Sequence, residues 1–91
     1  MPRPKIPRNI CGRPADPCFK PNGIPMVNLE QVELAADEFE ALRLVDLEGK
    51  QQQEAAVEMG VSRQTLANVL KRARFKVADC LTHGKALIMH S

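Results

Sequence analysis

An all-α fold, a small helical domain built around a helix-turn-helix, is what this sequence predicts, and three observations carry that expectation. Only three of its 91 residues are aromatic (Phe19, Phe39 and Phe75). The core must then be built from Leu, Val, Ala and Met, which suits helices packed on helices better than a β-sandwich. Apolar residues recur at helical spacing through Phe39, Leu42 and Val45, and again through Leu66, Val69, Leu70, Ala73 and Val77. All seven prolines fall within the first 25 residues, so no proline interrupts helices further on. The length fits one domain near the lower limit for a self-sufficient core.

Taken in order, residues 1–28 read as a basic, extended, Pro-rich arm, because each proline removes an amide donor and biases its predecessor toward extended backbone. Lys20-Pro21-Asn22-Gly23 has the composition of a turn. Ile10, Phe19 and Ile24 are the residues able to pin the arm to the domain; a mobile arm is the alternative. The domain proper is expected over 29–84. Val32-Glu33-Leu34 fits either a short helical turn or an extended lead-in. The first firm helix is predicted from Asp37, which has capping-box spacing to Glu40, to a stop at Gly49. Ala41, Leu44 and Leu47 broaden its apolar stripe. A second, short helix is expected from Gln51 to Met59, broken by Gly60. A third runs from Arg63 to Leu81, with Ser62 as its N-cap and Gly84 as its closing residue. The tail, 85–91, contains Leu87-Ile88-Met89 and reads as a short strand whose most available partner is the arm near Arg8–Cys11.

The second and third helices carry the most specific pattern. A helix-turn-helix needs a small residue in its first helix for close crossing, a glycine at the turn, and apolar residues at set offsets. Counting Gln52 as the first position, Ala56 is fifth, Gly60 ninth, Val61 tenth, Leu66 fifteenth and Val69 eighteenth, with Ala55 and Met59 filling the fourth and eighth. Each position holds the residue type the geometry demands.

At 100° per residue, Leu66, Val69, Leu70, Ala73, Val77 and Cys80 form one buried stripe of the third helix. Gln64, Ala67, Asn68, Lys71 and Arg74 fall opposite, with Arg63 at the margin. That outer face carries no acid. Arg63 and Lys71 suit guanine edges or phosphates, Gln64 and Asn68 suit adenine edges, and Ala67 suits close approach or a thymine methyl. Ser62 sits where a hydroxyl and free amides suit a phosphate. Arg, Gln, Asn and Lys are also ordinary surface residues, but the absence of acid sets this face apart. Charge is segregated: residues 1–20 hold five bases and one acid, 21–61 two bases and nine acids, 62–91 six bases and one acid. Basic ends around an acidic middle point to polyanion contact through the ends, with Arg3, Lys5 and Arg8 on phosphates. The expected partner is double-stranded DNA. Phe75 is a misfit on the polar side; it reads as an anchor for the arm or tail in preference to a dimer contact.

The stretch from Asp37 to Gly49, with Gln53-Glu-Ala-Ala56 and Met59-Gly-Val-Ser-Arg-Gln-Thr65, resembles region four, the promoter-reading domain, of housekeeping sigma factors. The whole chain also resembles an uncharacterised prokaryotic family of short proteins that begin Met-Pro-Arg-Pro. They carry Phe-Lys-Pro-x-Gly-Ile-Pro (here Phe19 to Pro25) and end on Asn/His-Gly-Lys-Ala (here His83 to Ala86). The resemblance implies a winged-helix-like or sigma-region-four-like DNA-binding protein, one that could not open a promoter by itself because the rest of a sigma factor is absent. It places Arg63, Gln64 and Asn68 at base-contacting positions. Thr65 and Ala67 depart from the more basic sigma pattern, so base preference does not carry over.

Other classes are disfavoured. No apolar run approaches the roughly 20 residues that cross a bilayer, and the basic start lacks the apolar segment of an export signal, so the cytoplasm is expected. Cys11, Cys18 and Cys80 are then expected as reduced thiols, and their spacing, with His83 and His90, matches no standard zinc site. No metal, cofactor or enzymatic activity is expected. Two further readings stand beside transcription regulation by DNA binding. One is a sigma-shaped module docking on RNA polymerase or another protein through the acidic first helix and Phe75. The other is a metal or redox sensor built on the cysteines and histidines. A homodimer is expected, since one helix-turn-helix reads only a few base pairs.

Overall fold

The computed structural model describes residues 18–89. Strand β1 (Cys18–Phe19) leads through the turn at Asn22-Gly23, where Gly23 has φ 81°, and a 3₁₀ turn at Met26–Asn28 into β2 (Gln31–Leu34). Helix α1 (Ala36–Ala41) continues without a break into a π-helical segment, Leu42–Leu47. Helices α2 (Gln52–Met59) and α3 (Arg63–His83) come next, and β3 (Ala86–Met89) completes the fold. The strand order is β1-β3-β2: β3 is antiparallel to β1, with Phe19 opposite Leu87, and parallel to β2, with Leu34 opposite Met89.

The domain is therefore mixed α/β, and the all-α expectation is corrected by this three-stranded sheet. The reason is physical. Gln31-Val32-Glu33-Leu34 does alternate polar and apolar, but four residues are too few to separate a strand from a helical turn. Its pairing with β3 joins segments more than fifty residues apart, and local pattern carries no trace of that. The tail strand forms as expected, but both its edges are taken by β1 and β2; Arg8–Cys11, its expected partner, lies outside the described residues.

Two clusters hold the layers together. One, formed by Ala41, Leu44, Ala55, Ala56, Met59, Leu66, Val69 and Leu70, packs the helices on each other. The second joins the sheet to α3 through Leu34, Met89 and Ala73, flanked by Phe39, Leu42 and Leu87. α1 starts earlier than its expected Asp37–Glu40 box: the N-cap is Ala35, whose amide donates to Glu38 Oε1 at 2.8 Å. The π-helical bonding, with the Glu48 amide reaching the Arg43 carbonyl at 3.0 Å, displaces the later residues of the segment around the helix axis. Leu47, expected in the apolar stripe, is consequently 79 % exposed. Lys76 crosses to the sheet and donates to the Glu33 carbonyl at 2.7 Å.

Candidate nucleic-acid interface

The α2–α3 pair is set by its three-residue turn. Gly60 is left-handed (φ 70°), a backbone region that L side chains rarely adopt. The Val61 amide donates back to the Ala56 carbonyl at 3.0 Å, and half-buried Val61 packs on the helical core. Ser62 caps α3, accepting from the Thr65 amide at 3.1 Å and donating to Thr65 Oγ1 at 3.0 Å. Its hydroxyl is thus engaged within the helix cap. The small residues Ala55 and Ala56 are fully buried, as is Leu66 on α3. The helix runs two residues beyond the expected Leu81 and ends at left-handed Gly84.

With the apolar stripe buried, α3 turns Arg63, Gln64, Asn68, Lys71 and Arg74 to solvent, and Ala67 is half-buried beside them. Gln64 Nε2 and Asn68 Oδ1 are 3.3 Å apart, one turn along the same face. Arg63 also lines an open cleft with Lys50, Gln51, Gln52 and Gln53 at the start of α2. Arg3, Lys5 and Arg8 lie outside the described residues.

Ion pairing consumes much of the basic charge counted in the sequence. Arg72 and Lys76 hold Glu38 at 3.3 and 2.7 Å. Lys85 lies 3.0 Å from Asp79 and 3.7 Å from Glu30, and Arg43 bonds Glu40 and Glu48. Lys50 pairs with Glu58 at 2.8 Å. Arg74 meets Asp46 of the π-helical segment in a two-pronged contact, 2.7 Å through Nη2 and 3.1 Å through Nε. Arg63 and Lys71 have no acidic partner among the described residues. Burial pushes the Glu38 carboxyl up, but the Lys76 and Ala35 hydrogen bonds and the nearby cations outweigh it, so its pKa lies below the ordinary value. The His83 and Lys85 hydrogen bonds likewise lower Asp79, and the Asp46 hydrogen bonds raise Arg74 further.

Sequence reasoning missed Asp46, which it only counted among the nine acids of residues 21–61. Only the π-helical geometry aims it at α3, and no sequence pattern announces that. It also missed a shallow apolar groove of about 380 Å³ lined by Phe19, Phe39, Leu47, Val77 and Leu87, with Arg43 and Asp46 at its rim. Phe75 is 69 % exposed; the tail strand does not cover it, and the first 17 residues of the arm lie outside the described residues. Cys18 and Cys80 are free thiols, and burial raises the Cys80 pKa. Among the described residues no three His, Cys, Asp or Glu side chains group as metal ligands, and no helix is long and apolar enough to cross a membrane.

Comparison with known families adds the chain's relationships. The family described as "Protein of unknown function DUF134" matches residues 1–91. The chain belongs to this family. Among DUF134 relatives, a "UPF0251 protein" of Aeromonas salmonicida is 79 % identical over 91 residues, covering 100 % of this chain and 89 % of its own length. A "UPF0251 protein" of Vibrio cholerae is 64 % identical over 91 residues, covering 100 % and 93 %. One of Prosthecochloris aestuarii is 49 % identical over 87 residues, covering 96 % of this chain and 56 % of its own length. No solved structure matches the DUF134 chain.

Proposed function

We propose that the chain binds double-stranded DNA sequence-specifically, using α2 and α3 as a helix-turn-helix with α3 in the major groove, and that it regulates transcription. The observation that carries this reading is the outer face of α3 around Arg63, Gln64, Asn68 and Lys71: exposed, acid-free and uncovered by any described segment. Gln64 and Asn68 are the side-chain amides suited to adenine edges, and Arg63 suits guanine. The likeness to region four of sigma factors supports the same assignment. Selection of bound sequences from a random duplex pool is the direct test. A defined site should emerge, and Arg63→Ala or Gln64→Ala should each cost about 1–3 kcal/mol and relax preference at one position. Recovery of no site, or unchanged binding by both variants, refutes the base-reading role. Symmetric half-sites about 34 Å apart in the selected pool would mark a dimer.

A second reading, docking on polymerase or another protein, is favoured by the exposure of Leu47 and Phe75. It expects no DNA affinity above background at any salt concentration, and normal partner capture by the Arg63 variant.

A further inference from the structure

We infer that Asp46 is a built-in competitor for the DNA backbone: it occupies the Arg74 guanidinium as a phosphate would, and thereby restrains the affinity of α3 for duplexes of any sequence. The inference rests on the DNA reading above and concerns how that same face is regulated.

Position comes first. From Arg63 to Lys71 the helix rises about 12 Å, and a recognition helix reads base edges through its N-terminal residues. Arg74 comes less than one turn later, past the stretch that reads bases, where such a helix meets the backbone. It is therefore the residue of this face best placed for the backbone. In the free protein, however, both prongs of its guanidinium end on one carboxylate, Asp46 Oδ1 at 2.7 Å and Oδ2 at 3.1 Å.

Chemistry comes second. Arginine binds carboxylate and phosphate with the same parallel two-bond fork, so the fork holds either Asp46 or a phosphate, and while Asp46 keeps it the phosphate contact is not made. The two side chains are 51 % and 41 % exposed, which leaves the contact open to an incoming anion. Such a solvated pair contributes little to folding, so structure alone gives weak reason for it. Its other consequence is electrostatic. Among the described cations on the α3 outer face, Asp46 cancels one and leaves Arg63 and Lys71.

Local geometry comes third. Asp46 reaches α3 because Leu42–Leu47 is π-helical. The wider turn falls progressively behind a continuing α-helix, and at Asp46 and Leu47, the last two residues of the segment, the accumulated rotation aims Asp46 at Arg74 and turns Leu47 outward.

The test uses the full chain, a random-sequence 20-base-pair duplex and the selected site, with affinity measured by fluorescence anisotropy from 50 to 200 mM NaCl. Asp46→Asn should tighten binding to both duplexes and steepen the dependence of log affinity on log salt by about 0.9, one freed phosphate contact. Its advantage over wild type should then shrink about 3.5-fold across that salt range. Arg74→Ala should abolish the gain in the double variant, and Asp46→Glu, which restores the carboxylate, should return the slope toward wild type. A thermal melt of each variant separates these effects from damage to the fold. If wild type binds and Asp46→Asn binds with an unchanged slope, the competitor role is overturned while the DNA reading stands. If no variant binds either duplex, the DNA reading itself is overturned, and this inference with it.

Discussion

Glu38 is 3 % exposed yet held as a carboxylate, because two cations and one backbone amide converge on it. Its pKa is depressed in the folded state, so the sign of its linkage is fixed. The stabilisation is fully present above the unfolded value of about 4.3 and fades as pH falls through the lower folded value. Glu38→Gln should therefore lower stability by about 1–3 kcal/mol at pH 7 in denaturant melts. The two proteins' stabilities should converge as pH falls below the unfolded value and through the lowered folded one, where the wild-type carboxylate takes its proton. A constant difference down to pH 2 would show that the charge contributes nothing. Gly60 gives a second check at this scale. With φ at 70°, Gly60→Ala should cost about 1–2 kcal/mol through backbone strain, measured in the same melts.

At the scale of elements, β3 has the largest leverage, because it is the middle strand and contacts both partners. Met89→Ala should cost about 2–4 kcal/mol and reduce amide-exchange protection in β2 more than in α2, which lies in the other cluster. The elements differed in how far the sequence revealed them. Ala56, Gly60, Val61, Ser62 and Leu66 lie at fixed local offsets, and the turn and both flanking helices followed from them to within two residues. The buried stripe of α3 was legible for the same reason, and so were the exposed positions opposite it. The sheet was not, since two-residue β1 and four-residue β2 show no usable period and their partner is distant in sequence. The π-helical segment escaped too: Leu42 to Leu47 fits ordinary helical spacing, and only the backbone bonds reveal the extra residue. Missing it meant missing Asp46, and with it the ion pair at the edge of the candidate site.

For the whole molecule, the charge segregation seen in the sequence is largely resolved by folding. The acidic middle folds against the basic C-terminal third, so Glu38, Asp46 and Glu30 neutralise cations on α3 and beside β3. Two cations on the α3 outer face are left without an acid, which sets an expectation for the described domain. With Arg3, Lys5 and Arg8 all replaced by alanine, the salt slope of DNA binding should approach about −1 to −2, set by Lys71 and by the share of Arg63 not spent on a base edge. The intact chain should be steeper, and restoring the three arm residues should strengthen binding to all sequences alike. An unchanged slope on removing them would show that the arm makes no phosphate contacts.

The hydrogen bond from Lys76 to the Glu33 carbonyl has a consequence for behaviour at high concentration. Among the described strands β2 lies at a border of the sheet, and a strand border is where one molecule's sheet can be extended by another's. By holding a carbonyl of that border under an ammonium group, Lys76 deters such lateral stacking while also neutralising Glu38. One ammonium group thus serves both a strand-border carbonyl and the buried carboxylate of Glu38.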